Sequence, residues 1–318
     1  MKRYPSYPVT PSSTGSLIPE LDQKAGDFRQ ASIAPETKRA LFKNWKGFED
    51  WCQFNHLSAF PSSIHTLEVY LTYLALQGKK TSTIEQAKWS IDARHKMAGY
   101  PPPGQAERVK ATLNGIRRKQ GMASTSKEAL TIDHIRTIRF ESTLGGLRDK
   151  ALLLFGFAGG FRRSELANIR VSDLSQTDFG FRVLIQKSKT DQEGRGEWVN
   201  VVSSSYSKTD CPVQALQAWL KAANIQSGLV FRGLTKGGHL RSALSTVSIG
   251  LIVKKAAIAC GLDSTQYGGH SLRAGCATYL LDKNIPLNIV AKQLRHRKAD
   301  TTLRYDRNTT SKAIKGVY

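Results

Sequence analysis

Cysteine is scarce in this 318-residue chain, and the four present, Cys52, Cys211, Cys260 and Cys276, are far apart. No CxxC pair forms, which argues against a disulfide framework or a cysteine zinc site and for reduced thiols. Long apolar runs are also missing. The longest, Ala151 to Phe161, is about half of a membrane span and is interrupted by glycines. No secretory signal pattern opens the chain, so a soluble, cytoplasmic protein without a membrane partner is expected. No GxxxxGK[ST] loop is present to cradle a nucleotide, and no HExxH, carboxylate cluster or Cys/His set offers a metal site. Neither a cofactor, a metal nor a small-molecule substrate is therefore expected. Acidic residues are few as well. Twenty-five Asp and Glu face 47 Lys and Arg, a net charge of +22. Such an excess points to a polyanion, because each neutralised phosphate releases counterions.

The excess is not a basic tail on a neutral body. Residues 1–128 hold 19 basic and 11 acidic side chains and residues 129–318 hold 28 and 14, so both halves can face the same partner. Residues 1–27 read as a flexible tail, with Pro5, Pro8, Pro11 and Pro19 among serines and Gly15. Residues 28–120 read as a four-helix bundle. Leu41, Trp45, Phe48 and Cys52 make one apolar stripe. Ser62-Ser63 caps a second helix that Gly78 stops. A third runs from Ser82 to Ala98 with Ile84, Ala87, Ile91 and Met97 inward. A fourth runs from Gln105 to Lys119. Residues 121–128, small and polar, read as a linker. Residues 129–318 read as a mixed α+β domain. Its expected parts are a helix capped at Thr131, a buried helix over Leu147–Phe157 and a hairpin of Phe181–Gln186 with Glu197–Val202. Four more helices are expected from about Val213, Ser245, Ser271 and Pro286.

The second domain carries an ordered set of reactive side chains. Arg162 and Glu165 lie in Gly160-Phe161-Arg162-Arg163-Ser164-Glu165, Lys189 in Lys187-Ser188-Lys189-Thr190, and His270 and Arg273 in His270-Ser271-Leu272-Arg273. His296 and Tyr305 follow, nine residues apart. Two arginines can fork onto the non-bridging oxygens of a phosphodiester. Two histidines and a lysine can move protons around it, and a tyrosine can take the phosphoryl group. Arg162 and Glu165 share a helical face at a helix start, where Glu165 can orient a cation without touching substrate. His270 and Arg273 do the same after Gly268-Gly269, at the end of a helix that favours phosphate. Lys189, near the hairpin tip, can reach a leaving oxygen.

Together these runs resemble the tyrosine recombinase (phage integrase) family, with a Cre-type two-domain layout, over about residues 30–318. The family pattern is Arg with an acid three later, a hairpin Lys, HxxR, and His or Trp nine residues before Tyr. Arg295 stands where many members have glycine, and little consequence is expected of it. The resemblance implies a mainly α fold, with an N-terminal core-binding (SAM-like) bundle and a catalytic domain carrying a small sheet. It implies site-specific strand exchange through a 3′-phosphotyrosyl link to Tyr305, with Arg162, Lys189, His270, Arg273 and His296 catalytic and Glu165 in support. It also implies a homo-tetramer on two double-stranded DNA sites, each an inverted repeat, in a nucleoid-associated bacterial or phage setting. In the bundle, Ser82, Gln86 and Lys88 are expected to face bases, and Arg39, Lys43, Arg117 and Arg118 to bind DNA. Two other readings share the residues: a type IB topoisomerase-like nicking and closing enzyme, and a DNA-binding protein that has lost catalysis.

Overall fold

The computed structural model describes residues 17–121, 127–186, 196–204 and 209–305. Lys187, Lys189, most of the expected linker and the chain beyond Tyr305 lie outside them. The chain divides into two compact units, Met1–Ser124 and Thr125–Tyr318.

The first unit is all helix: α1 (Ile18–Ala31), α2 (Pro35–Phe54), α3 (Ile64–Leu76), α4 (Thr81–Met97) and α5 (Glu107–Gln120). Pro35 opens α2 where its missing N–H costs nothing. Ser63 caps α3 by accepting from the Thr66 N–H at 3.0 Å. Phe48, Cys52, Leu67, Tyr70, Leu71, Ile84, Ile91, Val109 and Leu113 form one core.

Two expectations change here. Residues 18–27 are helical rather than tail. α1 has no buried stripe to read, since Ile18, Leu21 and Phe28 are exposed. Local terms favour it instead: Pro19 falls in the first turn and Glu20 pairs with Lys24 at i,i+4. Met97 is exposed, not inward, and His95 is buried in its place. Six residues from Ile91 is off the helical face, whereas four is on it. His95 is accommodated because its Nε2 accepts from the Ser62 N–H and its Nδ1 donates to the Ile91 carbonyl, both at 2.8 Å.

The second unit is built around α7 (Leu144–Ala158), whose residues Ala151 to Phe157 are all buried. α6 (Ile132–Thr137), α8 (Arg163–Asn168), α9 (Pro212–Ala222), α10 (Thr246–Ala259), α11 (Ser271–Asp282), α12 (Leu287–Leu294) and α13 (Ala299–Leu303) complete the helices. Trp219 on α9 is fully buried, and its indole N–H donates to the Val230 carbonyl at 2.9 Å. The sheet is antiparallel with three strands in the order β1 (Leu174–Thr177), β2 (Gly180–Ile185), β3 (Glu197–Val202). Phe181 pairs with Val201 and Val183 with Val199, all facing the core. The expected hairpin is β2–β3. β1 adds a strand that sequence alternation does not announce, because Leu-Ser-Gln-Thr buries little.

Backbone closeness sets a clear test. A Cβ on Gly275 of α11 would lie 2.0 Å from the Leu130 carbonyl oxygen, whereas one on Gly115 of α5 meets nothing within 4 Å. Gly115→Ala should stabilise by roughly 0.5–1 kcal/mol through helix propensity. Gly275→Ala should destabilise by about 1–3 kcal/mol or more through overpacking. Calorimetric unfolding of the two variants reads both signs.

Candidate active site

Five of the reactive side chains converge where α7, α8, α11, α12 and α13 end or begin. After α7, Gly160 adopts φ +55°, a left-handed turn natural to glycine. That turn buries Phe161, stacked on Phe155 at 5.3 Å, and brings Arg162 to the N-cap of α8. Glu165, in the first turn of α8, is buried. Its Oε2 accepts from the Arg162 backbone N–H at 2.7 Å and its Oε1 from Arg162 Nη1 at 2.6 Å.

Arg273 on α11 is also buried. Its Nη1 donates to the Gly160 carbonyl at 2.8 Å and its Nη2 to the Leu294 carbonyl. His296 follows α12; its Nδ1 lies 2.9 Å from the Thr302 hydroxyl. Its ring lies parallel to that of Tyr305, with 6.0 Å between centroids and 7° between planes. Tyr305 is half-buried just past α13, beside Cys276, Val290 and Leu294, and its backbone N–H donates to Thr302 O at 3.0 Å. His270 is exposed at the N-cap of α11, one turn before Arg273. Lys189 falls outside the described residues. Just past β2, Gln186 donates to buried Asp173 at 2.6 Å, fixing the end of that strand.

Arg295 belongs to this group, contrary to expectation. It sits just past α12 with φ 56° and ψ 49°. Its N–H donates to Lys292 O and the His296 N–H to Ala291 O, a closed helix end whose left-handed residue is usually glycine. That conformation costs a side chain with a Cβ on the order of 1 kcal/mol. The Arg295 side chain nevertheless turns inward, with Nη2 at 2.6 Å from Glu165 Oε2. Within the run Leu294-Arg295-His296-Arg297-Lys298 nothing in the sequence separates the buried arginine from its solvated neighbours. Thr302, buried behind His296, was also missed.

Three guanidinium groups thus surround one carboxylate. Burial would raise the Glu165 pKa, yet Arg295 and Arg162 together hold it below the ordinary carboxylate value. Burial, then repulsion from Arg162 and Arg295, pulls Arg273 down to about 10. Burial, then Arg273, Arg162 and Arg295, lowers His296 to about 4, so it is neutral at physiological pH. Such a site holds uncompensated positive charge and suits an anion that shares it.

The residues expected to bind DNA lie in the first unit. Arg39 and Lys43 are exposed on α2, Ser82 and Gln86 on α4, and Arg118 on α5. Asn44 donates to Ser90 Oγ at 3.0 Å and to the Gln86 carbonyl at 3.4 Å, locking α2 to α4. Two others are engaged internally. Lys88 bonds to buried Asp92 at 2.7 Å, and Asp92 in turn accepts from the Gly104 N–H, so Lys88 serves the packing of α4 rather than an outward stripe. Arg117 forks onto Glu85 at 2.6 and 2.7 Å.

The phage integrase family model matches residues 128–312. A protein described as an integrase/recombinase xerD homolog from Selenomonas ruminantium is 35% identical over 292 residues, covering 90% of this chain and 85% of its own. The recombinase cre of Escherichia phage P1 is 30% identical over 169 residues, 51% of this chain and 49% of its own. The crystal structure of a lambda integrase(75-356) dimer bound to a COC′ core site shares the fold at a TM-score of 0.58. It is 16% identical, covering 92% of this chain and 96% of that one. The chain belongs to the phage integrase family. It is an enzyme of the tyrosine recombinase type, a site-specific recombinase.

The depressed His296 value fixes a pH dependence. The unfolded chain takes up this proton near pH 6.5 and the folded chain only near 4. Between those values the unfolded state binds more protons, so stability falls as the pH drops through the window. Denaturant midpoints measured from pH 7 to pH 4 should decline more steeply for the wild-type chain than for His296→Gln.

Proposed function

We propose that Tyr305 cleaves one DNA strand by attack on a phosphodiester held by Arg162 and Arg273. The observation that carries this is the cluster of two buried arginines and one part-buried arginine around a single carboxylate, with a neutral histidine stacked on the tyrosine. A guanidinium has five N–H groups, and the contacts of Arg273 to Gly160 and Leu294 use two. The others are available to non-bridging oxygens. As the Tyr305 oxygen bonds to phosphorus, its proton passes to His270 as base and the bond to the 5′-oxygen breaks. That oxygen takes a proton from Lys189, leaving a 3′-phosphotyrosyl link and a 5′-hydroxyl. Religation reverses the step, and no nucleotide or metal is consumed. With the Thr302 hydroxyl donating to His296 Nδ1, Nε2 carries the ring proton and can donate to the phosphate. Removing one such donor typically costs about 3 kcal/mol of transition-state stabilisation.

The natural partner is double-stranded DNA with an inverted-repeat site. Each protomer contributes one Tyr305 and strand exchange cuts four strands, which favours a homo-tetramer on two sites. A bacterial cytoplasm, at the nucleoid, is the fitting location. In the first unit Ser82 and Gln86 of α4 would read bases in the major groove. Arg39, Lys43 and Arg118 would contact the backbone. The engagement of Lys88 and Arg117 leaves them a smaller share of that surface.

Tyr305→Phe should bind DNA normally and form no covalent adduct with a nicked suicide substrate; a trapped adduct overturns the nucleophile assignment. Arg162→Lys or Arg273→Lys should slow adduct formation by about 10²–10³-fold with little loss of affinity. Losses of equal size in both would mean that these arginines only anchor the DNA. The same assay answers the catalytically silent alternative, and recombination between two marked sites separates strand exchange from mere nicking and closing.

Changing Gln86 should alter base preference in a half-site binding screen. Affinity should also fall linearly in log[salt], with a slope of about −0.9 for each phosphate neutralised. A flat response across all single-base variants would remove Gln86 from the reading surface.

A further inference from the structure

Arg295 occupies a backbone position that asks for glycine, yet its side chain is only 2% exposed and turned into the site. Nη2 reaches Glu165 Oε2 at 2.6 Å and the Gly160 carbonyl at 3.4 Å, and Nη1 reaches the Gln293 carbonyl at 2.9 Å. Its guanidinium carbon lies 5.6 Å from the centre of the Phe161 ring. Two of these acceptors are shared. Glu165 also holds Arg162, and the Gly160 carbonyl also holds Arg273. The Arg295 carbonyl itself accepts from Arg162 Nη2 at 3.4 Å.

Stability does not account for this residue. A buried ion pair commonly breaks even against its desolvation, and the left-handed backbone adds a cost. Arg295 Nε is buried without a hydrogen-bond partner among the described residues, which adds another. Glu197 Oε2 at the start of β3 is likewise buried and unpartnered. The arrangement is explained by what it holds in place.

We infer that Arg295 is a positioning residue for strand cleavage, clamping Glu165 and the Gly160 carbonyl so that the guanidinium groups of Arg162 and Arg273 are set before DNA arrives. The inference rests on the reading of those two arginines as phosphate ligands.

The test compares Arg295→Gly, Arg295→Lys and Tyr305→Phe in the full chain. It measures single-turnover cleavage of a saturating suicide substrate, DNA affinity and thermal melting. Arg295→Gly should bind DNA as the wild type does and cleave about 10²-fold more slowly, the usual consequence of a small misplacement in an active site. The acidic limb of its pH–rate profile should move to higher pH, since His296 loses one of the cations that depress it. Arg295→Lys keeps the charge but bridges one acceptor, so its rate should lie between the two with melting unchanged. Wild-type cleavage with an unmoved acidic limb in Arg295→Gly overturns the inference, as does an equal loss of affinity and rate. Should that variant not fold, a wild-type rate in Arg295→Lys overturns it alone. An adduct from Tyr305→Phe would instead overturn the reading beneath it, whatever Arg295 does.

Discussion

The Glu165 carboxylate is the hinge of the catalytic unit. One oxygen bonds Arg162 and the other bonds Arg295, while the second oxygen also closes the first turn of α8. A single buried acid therefore joins the start of α8 to the end of α12. An unpaired buried carboxylate would be costly, and so would either arginine alone. Glu165 is the member that cannot be spared: without it, Arg162 and Arg295 would face each other with no acid between them.

The balance around that carboxylate is deliberately unequal. Beyond burial, Arg162 and Arg295 depress Arg273, Arg162 depresses Arg295, and all three depress His296. A site that matched each cation with its own acid would be more comfortable unliganded and nearly blind to a phosphate. Under the proposed reading, the residual positive charge is what is held ready for the anion. It is supplied by groups already oriented, so little reorganisation accompanies the chemical step.

Much of this was legible in the sequence, for identifiable reasons. Apolar periodicity locates α2 to α5 and α9 to α12 because each buries a continuous stripe. Alternation locates β2 and β3 because one face packs inward. α1 and β1 bury too little to leave a pattern. Met97 was misplaced because composition ranks methionine above histidine for burial, whereas helical geometry selects His95. In the site, the spacing of Arg162 to Glu165 announced a shared helical face. What spacing could not announce was Arg295. Its burial depends on a left-handed turn at the end of α12 and on a carboxylate about 130 residues earlier in the chain. A run of five residues with four basic members looks the same whether its second member is solvated or buried.

How three clustered cations, two of them buried, coexist with one acid follows from the backbone. Gly160 lies just past the C-terminal end of α7, and Leu294 and Gln293 close α12. Their carbonyls receive Arg273 and Arg295 at the ends of helices, where unsatisfied C=O groups carry partial negative charge. Gln293 ties these ends together, its amide donating to Ala158 O at 3.1 Å and to Asn200 O at 2.9 Å. Dipoles hold the arginines without cancelling them, as further carboxylates would. The residual positive field of the site is therefore a property of where two helices stop. The glycine turn at Gly160 and the left-handed turn at Arg295 are the two backbone irregularities that make those helices stop there.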